Sequence, residues 1–448
     1  MITYSIIQKS QLEGGLRLDA EYYQPEYLEN AKMISALPYE VQKFSSLASY
    51  ITNGHTPLHA DLSIGEVYFL TAEDVFDFFI DYGTAKRITK LASTTELKRT
   101  ILSDNDLLIT IKGRVGNAAV VYKLRHDTNI NQDVARILVK KEINPFYVSA
   151  FLNSRFGKLQ VERIATNQIN PFLGLGNLKE LLIPIIEQDK QKKIENLIKR
   201  GLDELGISNS LYSQAENLLL EELGLKDFEI EDDLSYIVNL SEIKSSHRAD
   251  AEYFQPKYDR LISKIKNRNG KLLGELVSRI KTKIKPKPEE IYKYIEISDI
   301  NIGNGDTSFN EIVGKELPVN ARIPIKGGEL LISKVRPTRS AIAILLEDFS
   351  DNFICSSAFS VFKAPEILKE YLFVVLRSIV GKLQFEKPTT GTSYPTITDG
   401  DVENVLIPIS PQPTQQKIAD LVKKSHEARK KSKELLEEAK RKVEEMIQ

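Results

Sequence analysis

Apolar or small residues recur three and four apart along two stretches of this chain: Ile194, Leu197, Gly201, Ser208, Leu211, Ala215 and Leu218 in the first, and Ile418, Leu421, Ser425, Ala428, Ser432, Leu435 and Ala439 in the second. Such spacing lays a narrow seam along a helix and asks for a partner. At ~1.5 Å per residue each stretch makes a rod of about 50 Å, too long to bury its seam inside a small domain. Packing of each helix on its own globular unit is the plainer expectation. Matching seams favour mutual pairing, with Ile194, Leu197, Leu211, Ala215, Ile418, Leu421, Leu435 and Ala439 forming the interface. Small seam residues would let the two backbones approach closely. Gly201 and Gly206 lower helix propensity in the first rod, so Gly206-Ile207-Ser208-Asn209 is where it would break.

Both rods are entered in the same way, through Leu181-Leu182-Ile183-Pro184-Ile185 and Val405-Leu406-Ile407-Pro408-Ile409. With Pro184 laid on Pro408, Ile194 falls on Ile418, Leu197 on Leu421, Leu211 on Leu435 and Ala215 on Ala439. The sequence is therefore a tandem duplication. Each repeat opens on an extended patch, Ile2 to Ile6 and Leu234 to Val238. A close match follows, Arg17-Leu18-Asp19-Ala20-Glu21-Tyr22-Tyr23-Gln24-Pro25 against Arg248-Ala249-Asp250-Ala251-Glu252-Tyr253-Phe254-Gln255-Pro256. Asp before an aromatic run with Pro beyond it predicts a turn into a helix, with the aromatic residues in a packed corner.

Short apolar runs predict strands at Val67 to Leu70 and Lys293 to Ile297, and again at Asp106 to Ile111 and Glu329 to Ser333. The latter pair runs into Lys112-Gly113-Arg114-Val115-Gly116-Asn117 and Lys334-Val335-Arg336-Pro337-Thr338-Arg339, and another apolar strand follows each. Two strands joined by a basic, turn-rich loop offer Lys and Arg together. Arg suits guanine edges, and both residues suit phosphates, so Lys112, Arg114, Asn117, Lys334, Arg336 and Arg339 are candidate DNA contacts; an ordinary exposed turn is the alternative. Helical stretches follow at Asn144 to Leu159 and Glu366 to Phe385, both containing Gly-Lys-Leu-Gln. Polar loops come next, where Asn167, Gln168, Thr392, Ser393 and Tyr394 could read base edges or simply build turns. Lys283 and Lys285 stand in a run of alternating lysines that prolines keep extended. Such a run is either solvated surface or, beside a groove, a phosphate contact.

Composition narrows the function by exclusion. The chain has 448 residues, a formal net charge of −1 and 27% charged residues, so no global positive field draws it to nucleic acid or anionic membrane. Any nucleic-acid site must be a local patch. One cysteine, Cys355, rules out an intrachain disulfide and a cysteine zinc cluster, and it fits a reducing cytoplasm. No apolar run approaches the ~20 residues that a bilayer needs, so no membrane span is expected. The acidic stretch Glu229-Ile230-Glu231-Asp232-Asp233 reads as a linker, and no metal site is expected. Asn144-Pro145-Phe146-Tyr147 is close to the Asn/Asp-Pro-Pro-aromatic motif of amino-methyltransferases but lacks the second proline. An N-capping Asn with Pro at the first helical position accounts for it. No glycine-rich loop follows a strand, and the five histidines have neither zinc nor triad spacing. No residue is assigned a catalytic role.

On the duplicated entry Leu182-Ile183-Pro184-Ile185…Gln188…Gln191-Lys192-Lys193-Ile194 and Leu406-Ile407-Pro408-Ile409…Gln415-Gln416-Lys417-Ile418, each before a long helix, the chain resembles the specificity subunit of type I restriction-modification systems. The resemblance covers almost the whole length. It implies an α+β protein in which two repeated α/β target-recognition domains, residues 1–184 and 235–408, are joined by two long antiparallel coiled-coil helices, 185–223 and 409–448, with a linker at 224–234 and internal pseudo-twofold symmetry. Each domain would read half of a split, asymmetric sequence in double-stranded DNA. Half-sites read from one face lie about one duplex turn, ~34 Å, apart, which a rod of about 50 Å spans. The implied partners are two modification (methyltransferase) subunits and restriction or motor subunits. The implied S-adenosylmethionine, ATP and Mg lie on those partners and none on this chain. Alternatives are a subunit of a related type IIB-like adenine methyltransferase system, a self-contained DNA methyltransferase or nuclease, and a coiled-coil scaffold with no DNA role.

Overall fold

The protein is described by a computed structural model covering residues 4–12, 18–57, 65–166, 170–228, 230–266, 268–345, 352–363 and 368–447. It divides into two compact units, residues 1–206 with 428–448, and residues 207–427. Both mix helix and sheet in an α+β fold. Among the described residues, no helix is long and apolar enough to cross a membrane.

The two units repeat one plan. In the N-terminal unit, strand Leu107–Thr110 lies between antiparallel Ala118–Val120 and Val134–Val139; in the other, Leu330–Ser333 lies between antiparallel Ile342–Ile344 and Phe359–Phe362. A second small sheet accompanies each. Val67–Leu70 runs parallel to Thr128–Ile130 and antiparallel to Lys86–Ile88, while Ile291–Ile295 runs parallel to Phe353–Ser356 and antiparallel to Asn310–Val313. The central strands are buried along their whole length, which is why they read as unbroken apolar runs.

The expected helices at Asn144 to Leu159 and Glu366 to Phe385 are each two helices: Pro145–Asn153 with Arg155–Ile164, and Lys369–Arg377 with Ile379–Glu386. Ser154 and Ser378 make the breaks, each in extended conformation and each accepting a backbone N–H as the next helix's N-cap. The Gly-Lys-Leu-Gln motifs exploit that corner. A Cβ on Gly157 would sit 2.3 Å from the Phe151 carbonyl oxygen, and one on Gly381 2.1 Å from that of Leu376, so only glycine allows the second helix to close on the first. Gln160 then donates to the Leu182 carbonyl at 3.0 Å and accepts the Leu182 N–H at 2.9 Å. Gln384 does the same to Leu406 at 3.0 and 2.7 Å.

Those clamped leucines begin the repeated entry. Leu182–Ile185 pairs antiparallel with Glu40–Lys43, and Leu406–Ile407 with Lys271–Leu272. The prolines have no N–H to give the ladder, but each carbonyl is used: the Tyr147 hydroxyl donates to Pro184 O at 2.6 Å and the Tyr371 hydroxyl to Pro408 O at 2.8 Å. The Asn144-Pro145-Phe146-Tyr147 motif thus has a structural account. The Asn144 side chain caps its helix, accepting from Phe146 N at 2.9 Å, and Tyr147 anchors the strand.

The first long helix runs unbroken from Gln188 to Leu223 and the second from Gln412 to Ile447; Gly206 does not break the first. In the N-terminal unit Ile194, Leu197 and Ile198 share a core with Leu435, Leu436, Ala439, Val443 and the domain's own Phe146, Phe151 and Ile183. In the other unit Ala215, Leu219 and Leu223 join Ile418, Val422, Tyr371 and Phe362. Pairing of helix with helix and packing of helix on domain are therefore one event. The pairing is antiparallel within each unit: Gly201 faces Leu436 and Ser432, and Glu204 pairs with Lys431; Ser208 meets Ser425, and Glu222 meets Thr414. Ser208 and Ser425 are buried, and their hydroxyls satisfy one another at 3.0 Å while Ser425 also donates to Ser208 O at 2.8 Å. Leu421 and Leu211 are only half-buried, Leu421 against the domain core and Leu211 outside the apolar clusters, so its neighbours Ala215 and Leu219 carry that part of the seam.

Candidate nucleic-acid interface

The first basic loop crosses from Ile111 to Asn117 between two buried strands. Glycines set its path, with φ +76° at Gly113 and +92° at Gly116, a region that costs other residues strain. The Gly116 N–H bonds Thr110 O at 2.8 Å, and the Thr110 hydroxyl donates to the Arg114 carbonyl. With its backbone tied in this way, the loop turns Lys112 and Arg114 outward. Both are exposed, neither makes an ion pair among the described residues, and the Arg114 guanidinium lies 5.5 Å from the Phe76 ring. Asn117 differs. Its amide donates to Val75 O at 3.1 Å and its oxygen accepts from the Lys158 ammonium at 3.2 Å, so it is engaged in holding the loop rather than offered to a ligand.

The second basic loop is built by other means. Arg336 and Ser340 adopt left-handed φ values of +46° and +58° around a single 3-10 turn, Pro337–Arg339. Arg339 is exposed and Arg336 half-buried, and the Arg336 guanidinium lies 5.3 Å from the Tyr394 ring. Lys334 points away from solvent to Asp399 at 2.9 Å. Asp399 also accepts from Ser360 at 2.5 Å and Arg279 at 2.8 Å. Burial pulls the Asp399 carboxyl upward, but the Ser360 and Lys334 hydrogen bonds and the charges of Lys334 and Arg279 hold it below its ordinary value. These groups line a cavity of about 270 Å³ with Lys281 and Lys283 at its wall. Lys283 and Lys285 are exposed, and neither makes an ion pair among the described residues.

In both units the polar loop lies against the basic one. Lys112 forms a β-bridge with Phe172, which bridges Thr166; Val335 forms one with Thr396, which bridges Thr390. Thr392, Ser393 and Tyr394 are exposed at this loop's tip, with Tyr394 61% exposed. Asn167 and Gln168 lie outside the described residues. Phe172, 42% exposed beside Lys112, was not singled out from the sequence; its signal was a lone aromatic residue in an otherwise polar loop. Each unit thus presents basic groups and one exposed aromatic side chain on two adjoining loops, chemistry suited to phosphates, base edges and apolar base faces. Among the described residues, no group of three or more His, Cys, Asp or Glu side chains could hold a metal ion.

Residues 271–441 match the family model described as type I restriction modification DNA specificity domain. The HindI specificity subunit of Haemophilus influenzae is 34% identical over 113 residues, 24% of this chain and 24% of that protein. The EcoBI specificity subunit of Escherichia coli is 27% identical over 149 residues, 33% of this chain and 30% of that protein. The aligned stretches thus span about a quarter to a third of those curated relatives. The crystal structure of a type I restriction-modification S subunit from M. genitalium overlays with a TM-score of 0.40 at 14% identity, covering 92% of this chain and 96% of that one. By its sequence matches the chain carries, at residues 271–441, a type I restriction modification DNA specificity domain, and stretches of it are similar to specificity subunits of type I restriction enzymes.

Proposed function

We propose that this chain is the DNA-recognition subunit of a type I restriction-modification complex. Each unit reads one half of a bipartite target in double-stranded DNA, and the long helices offer a scaffold to two modification subunits and to restriction subunits. The chain itself performs no catalysis. S-adenosylmethionine, ATP and Mg belong to its partners, and the complex works in the cytoplasm. The observation that carries this reading is the repeated pair of adjoining loops, Lys112 to Asn117 against Phe172 and Lys334 to Arg339 against Thr396, which gives one chain two separate basic-and-aromatic surfaces. A net charge of −1 leaves long-range attraction weak, so recognition must come from these local surfaces.

The test is methylome sequencing of cells that carry the chain with its partner subunits. The expected result is one split motif with a fixed unread gap. Replacing Lys112 and Arg114 with Ala then changes one half, and replacing Arg336 and Arg339 changes the other. An unsplit motif, or methyl transfer and cleavage by the purified chain alone, overturns the reading.

A further inference from the structure

In each unit one buried polar side chain, at the end of the helix behind the basic loop, holds the backbone where that loop ends. In the N-terminal unit it is Asn153, the last residue of Pro145–Asn153 and 3% exposed. Its oxygen accepts the Ala118 N–H at 3.0 Å, and its amide donates to the Ala118 carbonyl at 2.7 Å. Ala118 directly follows Asn117. In the other unit it is Arg377, the last residue of Lys369–Arg377 and 9% exposed. Its guanidinium donates to Ser340 O at 2.7 Å, Ile342 O at 3.2 Å, Ile302 O at 2.9 Å and the Tyr212 hydroxyl at 3.1 Å. Ser340 directly follows Arg339 and is left-handed.

We propose that Asn153 and Arg377 are positioning residues: without touching DNA, they fix the direction of the basic loops and so the sharpness with which each unit reads its half-site. The proposal rests on the DNA-reading function above. Long basic side chains on a loose loop can meet phosphates from many poses, whereas base discrimination needs the supporting backbone held to about 0.5 Å. The second loop needs this most, since two non-glycine residues sit at positive φ and must be held there by their surroundings. Arg377 reaches three carbonyls and a hydroxyl at once because its planar fork carries five N–H donors, and a lysine ammonium at the same place cannot span them. Tyr212 lies on the first long helix, so Arg377 also ties this loop to the rod.

The experiment compares wild-type chain, Arg377→Lys and Asn153→Leu, each produced in full with the partner subunits. The methylated motif is read in cells, the purified complexes are titrated with a motif duplex and a scrambled duplex, and thermal melting is followed in parallel. Arg377→Lys should blur one half of the motif and Asn153→Leu the other, each lowering the motif-to-scrambled affinity ratio about tenfold while affinity for scrambled DNA stays. Both halves as sharp as in the wild type, or equal loss on both duplexes, overturns the proposal. If Arg377→Lys fails to fold, Asn153→Leu decides by the same readouts. Absence of any split motif in wild-type cells would sink the DNA-reading function itself, whereas a sharp motif untouched by either variant sinks only the positioning role.

Discussion

Lys112 and Lys334 occupy matching places in the two repeats but not matching circumstances. The first is exposed without an acidic partner among the described residues, and the second is held by Asp399. Since the folded-state carboxyl of Asp399 lies below its ordinary value, its stabilising contribution is complete above the unfolded value of about 3.9 and disappears as pH falls through the depressed folded value. We expect Asp399→Asn to cost roughly 2 kcal/mol at neutral pH, the scale of hydrogen bonds to a charged group, reduced by partial exposure. Urea melts from pH 7 to pH 3 should show that gap holding to about pH 4 and closing below it; a gap that stays flat into acid would place the stabilisation elsewhere. The sequence marked Lys334 as basic but could not show that its charge is engaged, because Asp399 lies 65 residues away in the chain. Asn153 and Arg377 were invisible for the same reason. Nothing in a helix-ending Asn or Arg reveals that its partners are carbonyls across the fold.

At the scale of elements, what could be read in advance came from periodicity. The seams gave both long helices, and the apolar runs gave the central strands within a residue or so. The breaks at Ser154 and Ser378 were hidden, since apolar spacing continues through them and only a close approach at Gly157 and Gly381 demands the corner. Propensity also misled at Gly206, where the penalty is real but tertiary packing on either side exceeds it. A Cβ there meets nothing within 4 Å, whereas one on Gly201 would lie 2.9 Å from Leu436 and 3.3 Å from the Ser432 carbonyl. Gly206→Ala should therefore stabilise the protein by about 1 kcal/mol, and Gly201→Ala should destabilise it or at best gain nothing. Thermal melting of the two variants checks this, and a gain at Gly201 as large as at Gly206 would contradict the close packing.

For the whole molecule, near-neutral charge makes any DNA affinity a property of patches, and patches can be counted by salt. The observed binding constant falls with salt by about 0.9 per neutralised phosphate on a double-logarithmic scale. If Lys283 and Lys285 serve as phosphate contacts, replacing both with Ala should lower that slope by about 1 to 2 while leaving the motif unchanged. A changed motif would make them base readers, and an unchanged slope would leave them as solvated surface.

The composition of the N-terminal unit, residues 1–206 together with 428–448, bears on how the protein is made. A ribosome delivers residues 207–427 as one continuous piece, able to close its core as soon as it emerges. The unit translated first must wait, with Ile194, Leu197 and Ile198 uncovered, until Leu435, Leu436, Ala439 and Val443 arrive to complete the same core. Translation order and completion order are thus reversed, and a chain interrupted after Glu427 would carry its unfinished surface at the opposite end from the interruption.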